Sequence, residues 1–290
     1  MLNLEFELNP RASVPDFQRH VDADARLSAA AREVLRAELD VRYGPGPLQT
    51  LDVFPAKQAK APTHIFIHGG YWRALDKNFY SFIAATLAET TGATVVVPNY
   101  DLCPSVTLDE IVSEIVQCGA WLLANISRYN GDAQSITVSG HSAGAHLAAM
   151  LMKSMPDAVK GACLISGIYD LRQVRKISVN ADVRLDESAA IRNSPMLSPP
   201  VVDCEIEVLV GGKETTLWRK QSYDFWRVCT EVGTRARYLE VPDEDHFSIT
   251  GCLDRASNPV AQVIKGQILR SRVAASRRDL GARTFDTLSA

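Results

Sequence analysis

A mostly parallel β-sheet with helices on both faces is the fold class this sequence predicts, and three observations carry that expectation. Short apolar runs rich in β-branched residues alternate with longer segments of helical spacing. Two of those runs, Val95-Val96-Val97 in TVVVPNY and the LIS of GACLISG, are nearly continuous in apolar character, as strands covered on both faces must be. A third, SITVSG, passes directly into an Ala-rich helical segment, the order of a strand–turn–helix unit.

The elements follow in chain order. The first ~45 residues stand outside the alternation and hold one Ala/Arg/Glu-rich helix, SAAAREVLRAEL (28–39), ending near YGPGP. Strands are expected at 48–54, 64–68, 94–100, 135–140, 161–167, 205–212 and 235–241. Helices are expected at 77–92, closed by Gly92, and at 107–131, opened by Thr107 and Glu110 in a capping-box spacing. Three more fall at 142–155, 215–233 and 259–276. The segment 171–200 is polar, ends in prolines and is a candidate lid, and residues 277–290 read as a frayed tail. The C-terminal arginines Arg270, Arg272, Arg277 and Arg278 read as a solvated helix face. The whole reads as one domain with an N-terminal extension (1–45), and either that extension or 171–200 could cover a site from above.

Composition narrows the function. With 46% hydrophobic and 22% charged residues, the chain of 290 residues has an ordinary globular make-up. A net charge of −3 gives no reason to expect nucleic acid or an anionic membrane as partner. No apolar run is long enough to span a bilayer, and the N-terminus lacks the basic and apolar regions of a secretory signal. Six scattered cysteines without a CxxC pair read as reduced thiols, hence a cytoplasmic protein. A homodimer is left open.

The chemistry is written in GHSAG, Gly140 to Gly144. A serine on a tight turn between a strand and a helix projects its hydroxyl above the sheet, and the two glycines leave room for that turn. Serine is a poor nucleophile until a base takes its proton. His246, in EVPDEDHFSI, is the histidine that follows the last strand. The base in turn needs an acid to fix its tautomer. Glu214, in the VGGKE loop, follows the preceding strand; Asp170, in SGIYDL, is the runner-up. Attack by Ser142 would leave charge on the carbonyl oxygen, which backbone N–H groups must hold. Ala143 supplies one, and the glycines of HIFIHGGYWRAL place Gly70, with Gly69 or Tyr71, as the source of the other. Tyr71, Trp72 and Phe247 are the candidate substrate-binding aromatics, with core packing the alternative for Trp72. His64, His68, His141 and His146 have no carboxylate or thiolate at ligand spacing, so no metal is expected, and no cofactor is called for.

The combination HGGYW, GHSAGAHLA, SGIYDL and a final DHF resembles the kynurenine formamidase (arylformamidase) group of α/β-hydrolases, over most of residues 9 to 275. That group is close to the hormone-sensitive-lipase-like esterases, whose loop reads HGGG instead. NPRASVPDF is similar to the group's opening. The resemblance implies Ser142 as nucleophile, His246 as base, and Gly70, Tyr71 and Ala143 at the oxyanion hole. The group more often shows Asp in a V-G-x-x-D pattern where this chain has Val210-Gly211-Gly212-Lys213-Glu214. The expected activity is hydrolysis of a small aryl amide or ester, with N-formyl-L-kynurenine the leading small-molecule substrate. A carboxylesterase for short-acyl or aromatic esters is the alternative, and a non-catalytic ligand-binding relative is the alternative of another class.

Overall fold

The computed structural model describes residues 2–286 of the chain, with side chains as far as Arg272. Eight strands form one sheet: β1 (Glu38–Arg42), β2 (Thr50–Phe54), β3 (Ala61–Ile67), β4 (Thr94–Pro98), β5 (Gly131–His141), β6 (Val159–Ile165), β7 (Ile206–Gly211) and β8 (Ala236–Val241). Their order across the sheet is β1-β2-β4-β3-β5-β6-β7-β8. β2 runs antiparallel to both β1 and β4, and every other neighbouring pair is parallel.

The two-residue period of a strand divides the core in two. Ile65 and Ile67 of β3 and Val208 and Val210 of β7 face one cluster, while Phe66 and Leu209 face the other. The helices are α1 (Leu4–Leu8), α2 (Pro10–Ser13), α3 (Phe17–Val34), α4 (Ser81–Thr91), α5 (Leu108–Asn125), α6 (Ala143–Ser154), α7 (Asn180–Val183), α8 (Glu187–Arg192), α9 (Thr216–Glu231), α10 (Ser248–Gly251) and α11 (Pro259–Asp286). Helices α5, α6 and α9 cover the first face, through residues such as Ile111, Leu147 and Phe225. Helices α4 and α11 cover the second, through Ile83, Leu87, Val260 and Ile264. Each such side chain taken fully from water stabilises the fold by about 1.5–3 kcal/mol.

Several expected elements have different bounds. The expected helix at 28–39 is α3, which starts eleven residues earlier at Phe17, and its last residues belong to the edge strand β1. The fully buried residues of α3 are Asp24, Ser28 and Ala31, small or polar side chains that do not mark a packing face by large apolar residues. β1 is almost wholly exposed, so it has no alternation to read. The helix expected over 77–92 opens as a 3-10 turn (Lys77–Phe79) before α4, and Gly92 closes α4 in the left-handed region as expected. That expected over 107–131 ends at Asn125, and the Thr107–Glu110 capping box is formed. The tail expected at 277–290 lies outside the residues whose side chains are described, and its last four residues lie outside the described chain.

Candidate active site

At the end of β5 the chain turns sharply into α6, and Ser142 stands on the turn with φ 56° and ψ −119°. Such a conformation costs on the order of 1–3 kcal/mol and must be held by its surroundings. Ser142 donates its N–H to the Ile165 carbonyl of β6 at 2.9 Å, which anchors the turn to the sheet. The glycines make room: a Cβ on Gly140 would lie 2.4 Å from the Gly144 backbone, and one on Gly144 2.0 Å from the Ile67 carbonyl.

Two neighbouring strand ends supply an ionisable pair. Glu214 follows β7 and His246 follows β8, and both are buried. His246 Nδ1 lies 2.7 Å from Glu214 Oε2. A carboxylate only accepts, so the ring donates from Nδ1 and Nε2 is left with the acceptor role. The other carboxylate oxygen, Oε1, accepts the Gly211 N–H at 2.8 Å and the Ser166 hydroxyl. Asp170, the other candidate acid, is instead held by the Arg172 guanidinium at 2.9 and 2.6 Å. His141 donates from Nε2 to the His246 carbonyl at 2.8 Å. Burial, reinforced by the neighbouring His246 ring, holds His141 well below the ordinary imidazole range, so it stays neutral in that role. The edge-on indole of Trp218, 4.6 Å from the His246 ring, closes the stack. Sequence reasoning missed Ser166 and His141 as supports, because neither position carries a signal apart from the fold.

The HGG loop after β3 is built just as tightly. Tyr100 stacks on the His68 ring at 4.2 Å and donates its hydroxyl to the His68 carbonyl at 2.9 Å. Burial lowers the His68 pKa to about 4 against its bonds to Gly69 and Asn99. Gly70 has φ 114°, and a Cβ there would lie 1.9 Å from the Ala74 carbonyl, so the turn itself demands glycine. A Cβ on Gly69 would meet the His141 carbonyl at 2.9 Å and the Ser142 Cβ at 3.3 Å, a close approach of the two turns. Tyr71 and Trp72 follow at φ 54° and 58°, a left-handed pair that side chains seldom adopt. Ala143 opens α6, and its amide is among those with no acceptor inside the helix.

Ser142, His246, Gly70 and Tyr71 line one cavity, together with Phe247 and His141. Its far wall is the N-terminal segment: Asn9, Pro10 and Arg11, then His20, Val21 and Asp24 from α3. Tyr71 ties the two walls by donating its hydroxyl to the Leu8 carbonyl at 2.7 Å, and Phe247 packs on Phe17 at 5.3 Å. Trp72 takes the alternative role. It is fully buried in the core, edge-on to His146 at 4.9 Å, and does not line the cavity, which corrects its place among the substrate-binding aromatics. Residues 171–200 do not line the cavity either. They brace its cover from outside, through the ion pair of Asp182 with Arg73 and the Ser178 hydroxyl's 2.6 Å bond to Glu5. His20 and Asp24 stand four residues apart on one helix face, a spacing that was illegible once the helix was expected to start at 28.

The remaining histidines are structural. His64 lies 2.8 Å from both Thr137 and Ser139, and His146 Nε2 lies 2.7 Å from the Asn193 carbonyl. Among the described residues no group of His, Cys, Asp and Glu is placed to hold a metal ion, and no helix is long and apolar enough to cross a membrane. All six cysteines are free and buried, and burial pushes the Cys118 thiol up to about 12.

The family profile that describes the α/β hydrolase fold matches residues 64–249. A kynurenine formamidase from Danio rerio is 34% identical over 83% of this chain and 85% of its own length. One from Drosophila melanogaster is 30% identical over 72% of this chain and 74% of its own. A solved Silicibacter protein described as a candidate thioesterase superposes with a TM-score of 0.80 at 27% identity, covering 91% of this chain and 99% of that one.

Proposed function

This chain belongs to the α/β-hydrolase family, in its kynurenine formamidase branch, and from that premise we propose that it deformylates N-formyl-L-kynurenine or a close aryl formamide through Ser142, His246 and Glu214. The observation that carries the assignment of roles is the buried Glu214–His246 bond opening on the same cavity as the strained Ser142. His246 Nε2 takes the Ser142 proton as Oγ attacks the formyl carbon. The oxygen that gains charge is held by N–H groups of Ala143 and of the Gly70–Tyr71 turn. The C–N bond then breaks while His246 returns the proton to the aniline nitrogen, and the arylamine leaves. Water attacks the formyl-Ser142 ester by the same route and releases formate. A formyl group needs little acyl room, and Tyr71 and Phe247 offer faces to an aromatic ring. The six buried thiols support a reducing, cytoplasmic setting.

A second reading, a carboxylesterase for short-acyl or aromatic esters, is supported by the same Ser142, His246 and Glu214 set, which would cleave an ester by the same steps. Comparing kcat/KM for N-formyl-L-kynurenine and p-nitrophenyl acetate on the purified protein separates them. The formamidase reading expects the formamide to be preferred by about tenfold or more; a protein that turns over only the ester belongs to the second.

A further inference from the structure

The N-terminal wall of the cavity carries a carboxylate that, among the described residues, makes no ion pair. Asp24 of α3 is only 7% exposed, and it lines the same cavity as Ser142 and His246. Among the described residues its recorded side-chain partner is the Thr250 hydroxyl, 3.1 Å from Oδ2. That hydroxyl has one hydrogen, and its oxygen lies closer, 2.7 Å, to the Phe247 carbonyl. The stronger bond goes to the carbonyl, which leaves an ionised Asp24 without a committed donor. An unpaired buried carboxylate is among the costliest groups a fold can hold. Burial first, and the charge of Asp254 in addition, lifts this carboxyl to about 7 despite the Thr250 bond. Tyr80, Val21 and Phe247 line the same cavity as Asp24 and offer an apolar and aromatic surface to whatever enters.

We propose that Asp24 is a recognition residue for an ammonium group on the substrate, so that the site selects aromatic formamides or esters bearing an amino group. A bound ammonium supplies the missing charge and donors, a charge-assisted hydrogen bond in a site shielded from water. Rings at the same site add cation–π attraction. The reaction named above is taken from the proposed function; the recognition itself does not depend on it.

The test is binding, measured without turnover. Benzylammonium and benzyl alcohol, matched in shape and differing in charge, are titrated calorimetrically into the full chain at about pH 8. The wild type is expected to bind the amine at least about tenfold more tightly, a difference of ~1.4 kcal/mol. Asp24→Asn should bring the ratio of the two Kd values to about one, and Asp24→Glu should restore part of it. A second arm uses the wild type alone, in case the variants fold poorly. At about pH 6 Asp24 holds its proton while benzylammonium keeps its charge, so the ratio should shrink. Arg11 and His20 on the same wall, and Tyr71, Tyr80, Arg73, His141 and His246 elsewhere around the cavity, are the other titratable or charged groups that line it, and the charge of Asp254 also acts on Asp24. The alcohol, titrated at each pH, corrects for changes in packing, and Asp24→Asn titrated beside it carries the charge contribution of those other groups alone. A wild-type ratio of one, an unchanged ratio in Asp24→Asn, or a ratio that widens at about pH 6 overturns the proposal. Failure to deformylate N-formyl-L-kynurenine would strike the proposed reaction and leave this ratio untouched.

Discussion

The two walls of the cavity are made in different ways. On one side Ser142, Glu214 and His246 sit at the ends of β5, β7 and β8, which run parallel in one sheet. Their spacing is set by sheet register, and each is fixed by short, buried bonds. On the other side, residues 4–24 form the short helices α1 and α2 and the first turns of α3, laid over the loops at the sheet's edge. That strap is held by scattered links: Tyr71 to Leu8, Thr215 to the Glu7 carbonyl at 2.6 Å, and Ser178 to Glu5. On the proposed mechanism bonds are made and broken at the sheet wall. The strap faces it across the cavity and, unlike the sheet wall, carries a buried carboxyl with no cation beside it among the described residues.

If that division is right, substitutions on the sheet wall should remove turnover and leave the fold intact. Ser142→Ala should lower kcat by about 10³-fold or more, with a melting temperature close to wild type, because alanine fills the same turn. Normal turnover by this variant would remove the mechanism. Glu214→Gln comes next, with an expected loss of about 10²–10⁴ in kcat, since an amide can turn its NH₂ to Nδ1 and favour the wrong imidazole tautomer. Asp170→Asn should change kcat less than about twofold, because its bonds run to Arg172 at the protein's rim. Steady-state kinetics on the two variants would show which carboxylate serves His246, and a reversed order would return the acid to Asp170.

The sheet wall was also the legible one. An apolar run, a G-x-S-x-G and an alanine-rich segment together specify a turn whose geometry is local, so Ser142 could be read from thirteen residues or so of sequence. Glu214 and His246 follow from the order of strands, and the extra methylene of Glu214 is absorbed by the loop that lets Oε1 reach the Gly211 N–H. The glycines of HGG were legible as a close approach, but not their division of labour, in which Gly70 serves the turn and Gly69 the space beside Ser142. Trp72 could not be placed, because an aromatic beside a catalytic loop looks the same whether it faces ligand or core. The strap was hardest. α3 presents Asp24, Ser28 and Ala31 inward, so most of the face that packs carries no large apolar residue to announce it. Its contribution to the cavity comes from tertiary contacts that no local pattern records.

An effect on stability, apart from turnover, probes the strap directly. A carboxyl whose folded pKa is raised favours the folded state only while protonated. For Asp24 the unfolded chain gives up the proton near the ordinary value of 3.8, and the folded chain near about 7. Stability from this group is therefore present in full below the lower value and is lost as pH rises through the interval, reaching its minimum above the upper one. Asp24→Asn cannot ionise and escapes that loss. It should match the wild type in stability at about pH 4 and exceed it at about pH 8 by on the order of a few kcal/mol or less, read as a higher melting temperature. On the sheet wall no such gain is expected from Glu214→Gln, whose carboxylate is matched by a ring N–H, an amide and a hydroxyl. Melting curves of the three proteins across that pH range test the contrast. A residue that weakens the free protein at working pH and lines the cavity that Ser142 opens on fits the trade between stability and function at active sites. Equal curves for wild type and Asp24→Asn at every pH would show that Asp24 is already satisfied in the fold, and the two walls would then differ in position alone.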